Sequence, residues 1–377
     1  MPEAAVAAQQ IEDERYIRRA LELACRALGR TAPNPAVGAV IVRDGVIVGE
    51  GFHPVAGEPH AEIFALRQAG IAAQGATLYV TLEPCCHSGR TGPCSTAVIA
   101  AGIVRVVAGC RDPNPKVAGG GFAQLEAAGI EVESGILGAE CRRLIAPFAK
   151  HIRTGLPYVT LKAGMTIDGA VATASGESQW ITGAESRFAV HQLRDTHDAI
   201  MVGIGTVLAD NPRLTSRLPQ GGGKNPLRII VDSTLRTPTT AALLAEAGQT
   251  LILTTTAASA ADVERLQAAN VEILRVAGTA GAVDLSAAMR QLGERGIQSI
   301  LLEGGGRLHH GALHAGIVDR LCIFIAPLLL GGSGLPLFCG HGVSNLKDAF
   351  RLRQLHVERY GDDLLLDGEL ESSCLPD

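Results

Sequence analysis

The sequence predicts an α/β protein of two three-layer domains, each a sheet covered on both faces by helices. Three observations carry this expectation. The chain has 377 residues, and a domain ordinarily takes roughly 100–200. Helix-period and strand-like apolar segments alternate along its length. A Gly- and Pro-marked break, His151-Ile152-Arg153-Thr154-Gly155-Leu156-Pro157, divides that alternation. The expected domains are therefore 1–153 and 154–377.

In the first domain, residues 12–29 set Tyr16, Ile17, Ala20, Leu21, Ala24, Ala27 and Leu28 on one helical face. Val37–Val42 and Val46–Gly51 read as strands joined by a hairpin turn at Arg43-Asp44-Gly45. His60–Ala69 reads as helix, Ala76–Leu82 and Val104–Ala108 as strands, and Cys94 as the start of a helix between them. Residues 118–128 read as helix, Ile130–Val132 as strand and 138–150 as one helix. In the second domain, strands are expected at Tyr158–Ala163, Ala199–Val202, Leu227–Val231, Thr250–Thr254, Ser299–Glu303 and Leu321–Ile325. Helices fall near 184–195, 260–269, 284–295 and 308–315, and 218–226 is an exposed loop.

Composition narrows the function. Hydrophobic residues make up 47% and charged residues 19%, enough for packed cores. The 45 glycines suit turns and close backbone approaches around ligands. A net charge of −5 and 3% aromatic content argue against a nucleic-acid partner and for small-molecule substrates. Residues 1–15 lack the basic-then-apolar pattern of a signal peptide, and no apolar run is long enough for a membrane span. The nine cysteines fit a reducing cytoplasm, where clustered cysteines hold metal more often than they form disulfides. Cys25, Cys110 and Cys141 read as buried small apolar residues. The chain is further expected to form a homo-oligomer.

The informative run is His60-Ala61-Glu62, followed by Pro84-Cys85 and then Cys94. A catalytic zinc takes three protein ligands and leaves a fourth position for water. His60, Cys85 and Cys94 supply that set, with Cys86 and His87 as alternatives to Cys85. Glu62, near the same helix start as His60, reaches the fourth position without being a ligand. Zinc lowers the pKa of its water from about 15.7 to about 7. Glu62 then takes a proton and passes it to a leaving amine, the chemistry of a zinc deaminase. In the short form of that motif the cysteines stand as Cys-x-x-Cys; here eight residues separate Cys85 from Cys94, so the insertion must loop out. His53 reads as a substrate group or a support to the ligands.

Thr31-Ala32-Pro33-Asn34-Pro35-Ala36-Val37-Gly38 and His53-Pro54-Val55-Ala56-Gly57-Glu58-Pro59-His60-Ala61-Glu62 resemble segments of the bacterial riboflavin-biosynthesis deaminase/reductase family. So do the insertion Glu83–Cys94 and Arg111-Asp112-Pro113-Asn114-Pro115, with Gly92 standing where the family commonly has proline. The resemblance implies a cytidine-deaminase-like N-terminal domain. It implies deamination of 2,5-diamino-6-(5-phosphoribosylamino)pyrimidin-4-one to 5-amino-6-(5-phosphoribosylamino)uracil. Asn34 then binds the pyrimidine edge, its alternative being a turn residue between prolines. His87, Ser88, Arg90 and Thr91 are candidates for the ribose phosphate, Arg90 through its planar fork.

Leu301-Leu302-Glu303-Gly304-Gly305-Gly306-Arg307-Leu308 reads as strand, glycine turn and helix start, an anion-binding arrangement. It is not the G-x-G-x-x-G fingerprint, so no Rossmann domain is expected. Segments 162–169 and 201–212 are similar to the reductase half of the same family, which implies a dihydrofolate-reductase-like fold. The implied reaction is hydride transfer from NADPH to C1′ of the opened ribose. By that resemblance Gly164, Trp180, Thr206, Asp210, Ser233, Gly305, Gly306, Arg307, Leu308, His309, His310 and Gly311 fall at NADPH positions. Ser178, Arg194, Leu214, Arg217 and Glu303 fall at substrate positions, with Arg194 and Arg217 suited to bidentate phosphate binding. Lys162 polarises C1′ or binds the sugar; its alternative is a snorkelling strand-end lysine. The alternative for Trp180 is a half-buried core residue.

Three rival readings remain at this level. A nucleic-acid base deaminase requires a basic surface and stacking aromatics. A purely structural zinc module requires a closed four-ligand site. A third keeps the deaminase but makes the second domain regulatory.

Overall fold

The computed structural model describes residues 3–87, 92–279 and 281–371. The chain forms two compact units, Met1–Thr154 and Gly155–Asp377.

In the first unit, helix α1 (Glu3–Cys25) precedes the hairpin of β1 (Gly38–Arg43) and β2 (Val46–Phe52). Then come α2 (Ala61–Ala69), β3 (Thr77–Leu82), α3 (Cys94–Ala100), β4 (Arg105–Cys110), α4 (Gly120–Ala127) and β5 (Glu131–Ser134). Helices α5 (Gly138–Leu144) and α6 (Ala146–Thr154) close the unit. The sheet order is β2-β1-β3-β4-β5; β1 runs antiparallel to β2 and β3, and β3, β4 and β5 run parallel.

Two glycines set how helices lie on this sheet. Gly38 pairs with Phe52, so Gly51, one residue away on β2, faces the opposite side. A Cβ on Gly38 would stand 2.0 Å from the Ala20 carbonyl of α1, and one on Gly51 would stand 2.3 Å from the Ala61 carbonyl of α2. Helices α1 and α2 therefore cover opposite faces, each seated directly on bare strand backbone. Ile17 and Ala20 of α1, Ala65 of α2, and Val40, Ile41, Leu78 and Val80 of the sheet belong to one buried core.

The second unit opens with β6 (Tyr158–Thr166), β7 (Ala170–Ala172), α7 (Ala184–Thr196), β8 (Ala199–Gly203) and α8 (Ile204–Asp210). It continues with β9 (Leu227–Val231), α9 (Ala242–Ala245), β10 (Thr250–Thr254), α10 (Ala260–Gln267) and β11 (Glu272–Arg275). A small ribbon of β12 (Gly278–Thr279) and β13 (Ala282–Val283) leads to α11 (Leu285–Glu294), β14 (Ser299–Gly304) and α12 (Gly306–His314). Last come β15 (Arg320–Ala326), β16 (Leu335–Pro336), β17 (Leu352–Tyr360) and β18 (Asp363–Leu370).

Nine strands form one sheet in the order β11-β10-β9-β8-β14-β6-β15-β18-β17. Neighbours from β11 to β15 are parallel, and the hairpin β17–β18 adds an antiparallel edge. Successive residues of one strand feed different cores. Met201, Ile229 and Leu251 join the core with Leu285, Met289 and Leu292 of α11. Ile200, Val202, Ile230 and Ile252 join the core with Val207 of α8 and Leu266 of α10. Strands buried on both faces explain the unbroken apolar runs that marked them in the sequence. The carboxyl ends of parallel β6, β8 and β14 share one edge, and at β8/β14 the strand order reverses direction; ligands of open α/β sheets bind at such a switch point.

Both halves are α/β with helix-covered sheets, as the sequence predicts. Several details differ. The helix expected over 138–150 is two, α5 and α6, because Pro147 lacks the N–H that a continuous helix needs and sits instead in the first turn of α6. Helix α6 runs to Thr154, so the first half of the expected linker is helical. Strand β11, helix α8 and the hairpin β17–β18 escaped the sequence pattern; β17 is exposed along nearly its whole length and carries no two-residue apolar alternation. Cys110 and Cys141 are buried, but Cys25, the last residue of α1, is exposed.

Adding one methyl group at Gly51 forces α2 off β2. Gly51→Ala is expected to destabilise the first unit by roughly 1–3 kcal/mol or more, since the colliding atoms are backbone. Urea unfolding of the variant beside wild type measures the loss.

Candidate active sites

Strand β2 delivers the chain to Pro59, and His60 caps α2 in extended conformation (φ −73°, ψ 165°). Strand β3 ends at Leu82 and hands on to Glu83-Pro84-Cys85, while Cys94 is the first residue of α3. These ends meet. His60 Nδ1 lies 3.2 Å from Cys94 Sγ and 3.7 Å from Cys85 Sγ. The Cys94 N–H donates to Cys85 Sγ at 3.3 Å. Among the described residues, His60, Cys85 and Cys94 are the cluster whose donor atoms lie within 4.8 Å of one another. Bonds of about 2.0–2.3 Å to zinc put tetrahedral ligand atoms roughly 3.3–3.8 Å apart. One imidazole and two thiols at these separations fit a zinc ion with one corner left over. Cys86 and His87 do not join them.

Glu62, in the first turn of α2, is 4% exposed. Burial pushes its carboxyl up to about 7, with the neighbouring Cys85 thiolate acting in the same direction. Its contact with Cys85 draws His60 upward, against burial. Asn34 stands at the rim: its Nδ2 lies 3.1 Å from His53 Nε2, and its own N–H donates to the Thr31 carbonyl at 2.8 Å. It is both a turn residue and an oriented amide. His53 Nδ1 lies 3.1 Å from the Pro59 carbonyl, which accepts only if that nitrogen carries the proton; Nε2 then accepts from Asn34. That leaves the Asn34 carbonyl oxygen for a ligand. The phosphate candidates Ser88, Arg90 and Thr91 lie outside the described residues, and His87 is exposed.

Sequence reasoning missed Glu83. Its buried carboxylate accepts four backbone N–H groups: Asp112 at 3.1 Å, Gly119 at 3.0 Å, Gly121 at 2.9 Å and Phe122 at 3.3 Å. It ties the segment before Cys85 to the loop after β4 and to the start of α4. The available signal was an acidic residue ending an apolar strand, with a triple glycine at 119–121 downstream.

In the second unit, Glu303 near the end of β14 is gripped by Arg194 of α7. The guanidinium donates through Nε at 2.7 Å and Nη2 at 2.9 Å. Lys162 Nζ stands 3.6 Å from the same carboxylate. Burial alone would raise Glu303, but Arg194 and Lys162 hold it down at about 2. Arg194 also donates to the Thr215 carbonyl at 3.2 Å. Arg194 thus spends part of its guanidinium inside the protein, on Glu303 and Thr215; Arg217 is exposed, Ser178 half-buried, and Leu214 buried with φ +55°.

The glycine turn follows at once. Gly305 has φ +78° and caps α12, a conformation that favours glycine. Cβ atoms on Gly304 and Gly305 would stand 3.0 and 3.2 Å from Thr206 Oγ1, so that hydroxyl of α8 faces the turn. Gly164, on β6, packs against Thr182. Ser233, just past β9, accepts the Val283 N–H through Oγ at 3.2 Å. Asp210 ends α8 and is exposed, as is Arg307; Leu308, His310 and Gly311 are half-buried and His309 buried. Trp180 is 67% exposed with the Arg187 guanidinium 4.7 Å over its ring, so the core-residue alternative fails.

Glu62 also ties stability to pH. Its folded pKa lies above the ordinary value of 4.5, so its protonated form stabilises the fold below that value and the benefit disappears as pH rises through about 7. Metal-free wild type is expected to lose on the order of 3 kcal/mol from this group between about pH 4.5 and 8. Glu62→Gln flattens that decline, which urea melts at pH 5 and pH 8 resolve.

Two known families match the chain. Residues 10–110 match the cytidine and deoxycytidylate deaminase zinc-binding region, and residues 157–366 match the RibD C-terminal domain. A riboflavin biosynthesis protein RibD of Actinobacillus pleuropneumoniae is 46% identical over 93% of this chain and 94% of its own. The RibD of Escherichia coli K12 is 45% identical over 94% of this chain and 99% of its own. Among solved structures, Acinetobacter baumannii RibD superposes with a TM-score of 0.83 at 39% identity, covering 96% of this chain and 99% of that one. The diaminohydroxyphosphoribosylaminopyrimidine deaminase/5-amino-6-(5-phosphoribosylamino)uracil reductase of Thermotoga maritima gives 0.82 at 37%, with the same coverage. This chain belongs to the RibD family of riboflavin biosynthesis proteins.

Proposed function

We propose that the first unit deaminates the pyrimidine and the second reduces the ribosyl group, with the residues named above in those roles. The protein is a bifunctional riboflavin-biosynthesis enzyme. It deaminates 2,5-diamino-6-(5-phosphoribosylamino)pyrimidin-4-one and reduces the resulting 5-amino-6-(5-phosphoribosylamino)uracil to the ribitylamino product, using zinc and NADPH. The observation that carries the deaminase assignment is the meeting of His60, Cys85 and Cys94 beside a buried carboxylate.

His60, Cys85 and Cys94 hold the zinc. Bound there, zinc supplies a Lewis acid that brings the pKa of water to about 7. Glu62 takes a proton from the attacking water and delivers it to the amino group, which leaves as ammonia. Its place in the first turn of α2, buried and two residues from His60, suits it to both halves of that transfer. Asn34, steered by His53, offers its carbonyl oxygen to a ring-edge donor. Glu83 holds the cysteine loop in register.

In the second unit, NADPH supplies the hydride for C1′. The backbone N–H groups of the Gly305–Gly306 turn and α12 receive phosphate beside the Thr206 hydroxyl, and Ser233, Asp210 and Gly164 complete the cofactor side. Exposed Trp180 packs on the cofactor, its ring being the chain's sole indole. Lys162 and Glu303 face the sugar, and Arg217, Ser178 and Leu214 complete the substrate side.

The substrate is a small molecule, and none of the described helices is long and apolar enough to cross a membrane. The free cysteines and the NADPH requirement support a cytoplasmic setting. The β17 edge supports homo-oligomerisation, because Leu355 and Val357 are exposed there beside unpaired strand backbone. Val357→Lys is expected to shift the assembly toward monomer in light-scattering chromatography; an unchanged mass removes that edge from the interface.

Glu62→Gln is expected to keep its zinc while ammonia release falls roughly 10²–10⁴-fold. The same variant is expected to oxidise NADPH normally when given the already deaminated substrate. A coupled assay following ammonia and NADPH absorbance reads both steps. Ammonia release near the wild-type rate removes Glu62 from the mechanism, and loss of NADPH oxidation shows that the two sites are not independent.

A further inference from the structure

His309 is an anomaly of the second unit. It lies on α12 with its side chain 4% exposed, yet neither ring nitrogen has a hydrogen-bond partner of sound geometry. Its surroundings are the Leu337 backbone, the Phe338 ring with centroids 6.3 Å apart, and the charges of Lys162 and Glu303. Unpaired buried donors and acceptors cost stability, and a native protein that keeps them has a use for them.

The topology says what that use is. Leu161 pairs with Leu302, so Lys162 and Glu303 stand side by side at the ends of β6 and β14. Helix α12 follows β14 after one residue, and helical side chains lean back toward the N-terminus, toward that same edge. Burial drives the His309 ring down to about 4, so it is neutral and keeps an acceptor nitrogen. Meanwhile Arg194 occupies both oxygens of Glu303, and Lys162 at 3.6 Å is too distant for a hydrogen bond to it. The ammonium has donors to spare and the imidazole a vacant acceptor.

We propose that His309 is a positioning residue for the reduction: when ligands fill the site, its ring accepts a hydrogen bond from Lys162 and aims the ammonium at the sugar. The proposal rests on the reductase assignment above and goes beyond it in giving the His309 ring a role toward Lys162 in addition to the place of its segment beside the cofactor. Three variants of the full chain test it, with Trp180 fluorescence reporting both NADPH binding and melting of the second unit. His309→Leu removes the unpaired nitrogens and is expected to raise the melting temperature by roughly 2–4 °C. Its kcat for NADPH oxidation with the deaminated substrate, at saturating NADPH, is expected to fall roughly ten- to a hundredfold. His309→Asn restores an acceptor and is expected to recover most of kcat, whereas His309→Phe, apolar and ring-shaped, does not. Wild-type turnover in His309→Leu, or an Asn variant as slow as Leu, overturns the proposal. A lower melting temperature in His309→Leu overturns it too, since the ring would then be packing filler. If wild type itself oxidises no NADPH with this substrate, the reductase assignment fails and takes the proposal with it.

Discussion

Helix α2 rests on bare backbone, and the first active site depends on that contact. Gly51 leaves no side chain between β2 and the Ala61 carbonyl, which would stand 2.3 Å from a Cβ there. The close seat fixes the first turn of α2, where His60 and Glu62 stand one residue apart in the chain from Ala61. A metal site tolerates little error in ligand position, because bond lengths vary by only a few tenths of an ångström. A helix held at side-chain distance from the sheet would be free to slide by more than that.

The opposite wall is held by a different force. Cys85 lies on a loop with no strand or helix of its own, and a buried carboxylate compensates. Glu83 gathers backbone N–H groups from three segments, satisfying donors that burial would otherwise leave unpaired. Packing positions the histidine side of the site and hydrogen bonding positions the cysteine side. Between them Glu62 is kept dry, and dryness raises its pKa above the ordinary carboxyl value.

The second unit builds its site by topology instead. Parallel strands send their carboxyl ends to one edge, and the strand order reverses there, the place where ligands of open α/β sheets bind. Residues distant in sequence, Lys162, Arg194, Thr206 and Glu303, arrive together with little local specialisation. Glu303 is the exception, since a buried carboxylate needs compensating charge and finds it in Arg194 and Lys162.

The sequence by itself determined the α/β class, marked a break near residue 154, and narrowed the candidate metal set to His60, Cys94 and one of Cys85, Cys86 and His87, with Glu62 beside them. These are local facts: apolar runs mark strands buried on both faces, and a histidine two residues before a glutamate at a helix start is a spacing that backbone geometry translates directly. Tertiary structure decided what spacing cannot encode. It chose Cys85 over Cys86 and His87, because only the fold brings a thiol to His60. It engaged Arg194 with Glu303, left Trp180 exposed and buried His309. It revealed Glu83, whose partners lie far along the chain and are backbone groups invisible to any residue pattern. It added β17–β18, an edge hairpin whose exposed strand lacks the apolar alternation that sequence reading depends on. Burial and long-range pairing are properties of the assembled chain, and each of these outcomes turned on one or the other.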